Sequence, residues 1–200
     1  VSGGFDLDAW SAVEEEVRLE NERQRGEKLP PERRYRSLHP QSGEFLHLLT
    51  LATGARSIVE VGMSAAYSTM WLARACAATG GRVVTLERND GAVVTARDHL
   101  TRAGVADYVE IVVGDARETL GALAGPYDLA FVDGEKDEYV AYVEGVWPLL
   151  AAGASLVADN VLSHAEAVVP FLEYLDAVPG ASTTVLEIGM GLSWTVKARE

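Results

Sequence analysis

In the stretch FVDGEKDEYVAY an apolar run ends abruptly at Asp133, and Lys136 follows three residues later among four acidic side chains. A second apolar run, LVADNVL, ends in Asp159 and Asn160. Two carboxylates and an amide oxygen, with no His or Cys among them, form a donor set for a hard cation: Mg²⁺ first, or Mn²⁺ or Ca²⁺, with waters completing the shell. A lysine beside such a site is a candidate general base. Each half also has a plain reading. Asp-Asn is a common turn pair, and a lysine at a helix start can pair with Glu135 or Asp137. The two halves together favour chemistry, with Asp133 facing the cation while Glu135, Asp137 and Glu138 face solvent or cap the helix.

The two halves can cooperate only if the fold gathers strand ends at one edge. Short β-branched runs, SIVEV, RVVTLE, VEIVVG, DLAFVD and SLVAD, alternate with helical patterns over 66–78, 90–103, 116–124 and 136–150, the last with Pro148 near its end as a kink. Such alternation predicts an α/β fold with a parallel sheet covered by helices on both faces. Ligands of such sheets bind beyond the carboxyl ends of the strands. Those ends carry Glu60 and Gly62, Glu87, Gly114 and Asp115, Asp133, and Asp159 with Asn160. The tail reads as a helix over 164–177, then the strands STTVLEI and LSWTVKA joined tightly through GMG. Upstream, residues 1–37 read as an N-terminal helix with a stripe at Trp10, Val13 and Val17, then a charged connector through Pro30-Pro31. Residues 38–200 form the main domain, its ordered core expected from about residue 43.

The turn after the first strand, EVGMSAAYS, holds one glycine where a dinucleotide fingerprint needs three. Glu87, at the end of the second strand, stands where a carboxylate can accept both ribose hydroxyls, although a solvated strand end is the bland alternative. A ribose reader without a pyrophosphate cradle points to a nucleoside cofactor lacking phosphate. S-adenosylmethionine fits, since its ammonium and sulfonium charges suit Glu60 and a site poor in cations.

Composition narrows the partners. The 200 residues, 48% hydrophobic, suit one domain, and a net charge of −13 disfavours nucleic acid and anionic lipid. Cys76 lies among alanines at helical spacing, as a packed thiol would. No apolar stretch reaches the ~18 residues of a membrane span, and VSGGFDLDAW has no signal-peptide pattern, so a soluble cytoplasmic protein is expected. The histidines share no ligand spacing. His47 and His99 are expected on helix surfaces, whereas His164, four residues past Asn160, borders the site and is a candidate substrate contact.

The combined residues resemble the cation-dependent class I O-methyltransferases that include catechol and caffeoyl-CoA O-methyltransferases and their bacterial relatives. The resemblance covers roughly residues 37–198. HPQSGEFLHLL is similar to the segment leading into that fold, IVEVGMSAAYST to its first cofactor motif, VTLE to its ribose-binding strand end and VVGDA to its adenine-side motif. FVDGEKDEYVAY and VADNVL are similar to its metal and base motifs. The resemblance implies a Rossmann-like, seven-stranded, mostly parallel sheet whose last strand is antiparallel. It implies S-adenosylmethionine held by Glu60, Gly62 and Ser68 at the methionine part, by Glu87 at the ribose, and by Asp115 and Ala116 at the adenine, with Asp133 beside it. It further implies a divalent cation on Asp133, Asp159 and Asn160, Lys136 as base, a small catechol-like or phenolic substrate and, in many members, a homodimer. Ala66 stands where a second glycine is usual, which crowds the approach to the cofactor; Ser163 follows Asn-Val-Leu in place of Trp or Gly and Met190 replaces an Asp, so a redrawn substrate pocket is expected.

Three alternatives stay open. Some bacterial relatives of the family methylate a hydroxylated tRNA uridine, and Arg33, Arg34 and Arg36 form a basic cluster. An NAD-dependent oxidoreductase would need the missing glycines, and a fold alone does not exclude a binding protein without activity.

Overall fold

A computed structural model describes residues 5–30 and 33–199; Pro31, read above as part of the connector, lies outside the described residues. Five parallel strands, β1 (Ser57–Val61), β2 (Arg82–Glu87), β3 (Val109–Val113), β4 (Tyr127–Val132) and β5 (Leu150–Ala158), are joined to β6 (Ala181–Leu186) and β7 (Leu192–Lys197) in the order β3-β2-β1-β4-β5-β7-β6. β7 runs antiparallel to both neighbours, as expected. Strand order reverses between β1 and β4, which places the ligand-binding crevice of such a sheet beside their carboxyl ends.

Helices α1 (Leu7–Gly26), α2 (Pro40–Thr53), α3 (Tyr67–Thr79), α4 (Asp90–Arg102), the single turn α5 (Ala116–Thr119), α6 (Tyr139–Val146) and α7 (Val169–Ala177) cover the sheet. Local chemistry sets their starts. The Asp6 carboxylate accepts from the Asp8 and Ala9 N–H groups at 3.1 and 3.0 Å, and Asn89 caps α4 in the same way. α3 differs: its N-cap, Ala66, sits at φ 67° with no capping side chain, so the first-turn N–H groups have no side-chain partner of that kind.

Several expectations are corrected. The core does not wait for residue 43, because Trp10, Val13 and Val17 of α1 are buried in it. Trp10 packs edge-on against Trp71 at 4.6 Å and donates from Nε1 to the Met70 carbonyl at 3.2 Å. His99 is 4% exposed, with Nδ1 2.9 Å from the Ala65 carbonyl oxygen. It lies on the same face of α4 as Ala96 and Leu100, a placement its spacing would have disclosed. His47 is half-buried with its ring 6.0 Å from Trp71, and desolvation lowers its pKa. The helix read over 136–150 is three pieces, with 3₁₀ turns at Lys136–Glu138 and Trp147–Leu149 flanking α6. Pro148 has no N–H to continue the ladder, so it sits in the second turn. The last helix starts at Val169 rather than 164, with Pro170 in its first turn, where proline fits best. Among the described residues no helix is long and apolar enough to cross a membrane.

One close approach positions the crevice. Gly62, just past β1, has φ 93°, and a Cβ there would lie 2.5 Å from the Asp133 carbonyl oxygen. The Asp133 N–H donates to the Val61 carbonyl at 2.9 Å, and the Asp159 N–H to the Val132 carbonyl at 3.1 Å. The ladder therefore continues past the strands and fixes both aspartates. Gly62→Ala combines a left-handed backbone with a clash against main chain, and we expect it to destabilise the fold by about 2–3 kcal/mol. Urea unfolding checks this, with a lowered midpoint at unchanged slope as the expected result.

Candidate active site

The strand ends open into one cavity of about 820 Å³. That volume lies in the upper part of the roughly 300–1,000 Å³ range of small-molecule sites, enough for a nucleoside cofactor and a second small molecule. Of the residues singled out by sequence, Gly62, Ser68, Glu87, Ala116, Asp133, Lys136, Asp159, Asn160 and His164 line this cavity. Glu60 and Asp115 do not.

At the end of β2, Glu87 is held rigidly. Its carboxylate accepts from the Met63 and Ser64 N–H groups at 3.2 and 2.8 Å and from the Asn89 N–H at 2.8 Å. The turn after β1 and the end of β2 are thereby locked together, and the carboxylate still faces the cavity with lone pairs to spare. Asp115 instead caps α5 and grips Arg117 at 2.5 Å, and that guanidinium holds its carboxyl down to about 2. Ala116 forms the wall in its place. Glu60 lies behind the wall, fully buried, and one of its oxygens accepts from the Thr69 and Thr85 hydroxyls at 2.6 Å each. Its other oxygen has no hydrogen-bond partner, and burial pushes the carboxyl up to about 7. Ser68, which eases the charge of Glu60, lines the cavity.

On the opposite side, Lys136 Nζ donates to Asp133 Oδ1 at 2.7 Å, to the Gly134 carbonyl at 3.0 Å and to the Tyr139 hydroxyl at 2.8 Å. The Tyr139 hydroxyl in turn donates to the Asp159 carbonyl at 3.1 Å. Burial raises the pKa of both aspartate carboxyls; the charge of Asp133 adds to the effect at Asp159, while Lys136 opposes it at both. Asp159 is 1% exposed, and its Oδ1 has no hydrogen-bond partner. A buried and a half-buried carboxylate, one of them with an oxygen that has no hydrogen-bond partner, suit a divalent cation in chemistry and charge. Asn160 stands beside them at φ 65°, a backbone region that asparagine tolerates well.

The loop after Asn160 is pinned to the β6–β7 turn, since Val161 donates to the Gly191 carbonyl and Ser163 to the Met190 carbonyl, each at 3.0 Å. That pinning holds His164 at the rim, where its Nδ1 lies 2.9 Å from Ser163 Oγ. The acids near Lys136 are more engaged than expected. Glu135 pairs with Arg36 at 2.5 Å and Arg88 at 3.3 Å, and Glu138 with Arg117 at 3.2 Å. Sequence reasoning did not single out Tyr139, and it read Arg36 only as one of a basic cluster. The only signal for Tyr139 was its position three residues after Lys136 on one helix face; the pairing of Arg36 with Glu135 gave none, because the two are 99 residues apart.

A family model described as O-methyltransferase matches residues 10–191. The catechol O-methyltransferase of Mycobacterium tuberculosis is 50% identical over 123 residues, 61% of this chain and 56% of that protein. The chain thus spans little more than half of that relative. The catechol O-methyltransferase of Niastella koreensis is 35% identical over 161 residues, covering 74% of this chain and 72% of the relative. Among solved structures, the O-methyltransferase of Bacillus cereus in complex with SAH superimposes with a TM-score of 0.80 at 31% identity, over 98% of this chain and 93% of that one.

The buried Glu60 carboxyl gives a test of the wall itself. Its pKa of about 7 in the folded chain exceeds the usual 4.5, so between those pH values the folded state binds more protons than the unfolded one. Stability from this group is full below pH 4.5 and is lost as pH rises through 7. Urea midpoints of wild type and Glu60→Gln across that range should show a smaller fall for the variant; parallel curves contradict the assignment.

Proposed function

The chain belongs to the O-methyltransferase family, and on that footing we propose that it transfers a methyl group from S-adenosylmethionine to a hydroxyl of a small catechol-like or phenolic molecule, with the help of a divalent cation. The observation that carries this reading is the unpartnered, buried Asp159 Oδ1 beside Asp133 and Lys136 at the mouth of the strand ends. The relatives named catechol O-methyltransferase support the substrate class, and the SAH-bound neighbour supports the cofactor.

In this reading Glu87 accepts the ribose hydroxyls, while Gly62, Ser68 and the uncapped first turn of α3 face the methionine part, with Glu60 acting through Ser68. Ala116 borders the adenine, and Asp115 takes part only by shaping the turn. Asp133, Asp159 and Asn160 would hold the cation, Mg²⁺ first. When bound, S-adenosylmethionine supplies a methyl group on a sulfonium, ready for attack. When bound, a divalent cation lowers the pKa of a phenolic hydroxyl from its ordinary value near ~10.

The chain's own residues supply the rest. As the neutral amine, Lys136 Nζ would accept the proton of the hydroxyl whose oxygen takes the methyl. The three acceptors now around Nζ, on Asp133, Gly134 and Tyr139, stabilise the ammonium that this step creates. Tyr139 ties Lys136 to the Asp159 backbone and so fixes the base relative to the substrate. His164 would contact the substrate from the rim. The same reading takes 38–200 as the methyltransferase domain and 1–37 as an N-terminal helix and connector, in a homodimer acting in the cytoplasm.

Lys136→Ala should lower turnover of a catechol at least roughly tenfold, while calorimetry shows the affinity for S-adenosylhomocysteine changed by less than about twofold. Normal turnover removes the lysine from the mechanism. Asp159→Ala and a chelator should each abolish methylation; methylation that persists in chelator overturns the role of the cation.

A further inference from the structure

The chain carries a large negative charge, yet the cavity wall holds four arginines, Arg25, Arg34, Arg36 and Arg88, besides Lys136. Three of these five cations are neutralised within the chain: Arg36 by Glu135, Arg88 by Glu135 and Glu138, and Lys136 by Asp133. Arg25 and Arg34 have no ion-pair partner among the described residues. Arg25 stands in the last turn of α1 and Arg34 on the connector that follows, and the Tyr35 N–H donates to the Gln24 side chain at 2.5 Å, which brings the two segments together at the cavity wall. Arg25 is also near enough to Asp159 to favour its charge. Tyr35 and Leu38 line the same cavity, the Tyr35 ring edge-on to His99 at 5.8 Å.

Resting on the methyl-transfer reading, we propose that Arg25 and Arg34 form an anion subsite, and that the substrate is an aromatic diol bearing a carboxylate or phosphate ester on the side of the ring away from the hydroxyls. Guanidinium groups bind either anion through paired N–H donors. The diol end goes to the acidic floor at Asp133 and Asp159, and the anionic end is drawn to the only wall cations without internal partners among the described residues. The two arginines hold the anionic end and so set the ligand's direction. Such a subsite acts on affinity and selection more than on the chemical step, and its effect weakens with salt.

The test compares three matched probes, 3,4-dihydroxyphenylacetate, 3,4-dihydroxybenzyl phosphate and the neutral 3,4-dihydroxybenzyl alcohol, on the full chain and on the Arg25→Gln/Arg34→Gln double variant, with Mg²⁺ present. In wild type, kcat/KM for at least one anionic probe should exceed that for the alcohol by roughly tenfold or more, through KM, with the gap shrinking in 0.5 M salt (roughly a 4 Å Debye length). Which anion leads separates carboxylate from phosphate ester. In the variant the preference should vanish. Equal use of charged and neutral probes by wild type, or a preference that survives in the variant, overturns the proposal. Calorimetric titration of the anionic probes in the presence of S-adenosylhomocysteine decides the case without turnover. Tighter binding to wild type than to the variant, with no methylation of any probe, would uphold the anion subsite while the methyl-transfer reading fails; equal binding overturns the subsite.

Discussion

Three carboxyls stand at the carboxyl ends of adjacent central strands, Glu60 and Asp159 buried and Asp133 half-buried, a placement that water alone does not stabilise. Charges taken out of water cost several kcal/mol each unless they are paired. The surrounding structure answers that cost in different ways. Two threonine hydroxyls serve one oxygen of Glu60, and Lys136 serves Asp133. One oxygen of Asp159 is left without a partner. That oxygen suits the proposed divalent cation in charge and in hard-donor chemistry.

The fold is organised to keep that cluster compact. Reversal of strand order between β1 and β4 opens the crevice, and the positive φ of Gly62 lets the two strand ends approach without a side chain between them. Backbone ladders carry Asp133 and Asp159 past the strands. A second layer, Glu87 across the β1 turn and Arg36 on Glu135, ties the end of β2 and the N-terminal connector to the same edge. Main chain therefore positions the two aspartates, and long-range side-chain bonds brace the edge around them.

The strand-helix alternation made the central sheet legible, because buried parallel strands are apolar on both faces and end where polarity returns. Asp133, Asp159, Asn160 and Lys136 were legible for the same reason: chemistry-bearing residues stood at each strand end. Less legible was anything decided by long-range contact. The burial of α1 follows from Trp10 meeting Trp71, which no local pattern announces. Helix ends near Pro148 and Pro170 shifted because a missing N–H is tolerated only in a first turn or a 3₁₀ segment. Glu60 and Asp115 follow their strands as read, yet Thr69, Thr85 and Arg117 draw their side chains off the cavity wall. Partners so placed depend on the packed structure.

The account turns on whether Asp133, Asp159 and Asn160 take up a divalent cation. Thermal unfolding of the full chain at pH 8, titrated with Mg²⁺ and with no cofactor or substrate present, tests this most directly. Binding to the folded state alone raises Tm with the logarithm of ligand concentration above Kd, so the account predicts a saturable upward shift in wild type that Asp159→Asn abolishes. An unchanged Tm at millimolar Mg²⁺, or the same shift in wild type and variant, would contradict it.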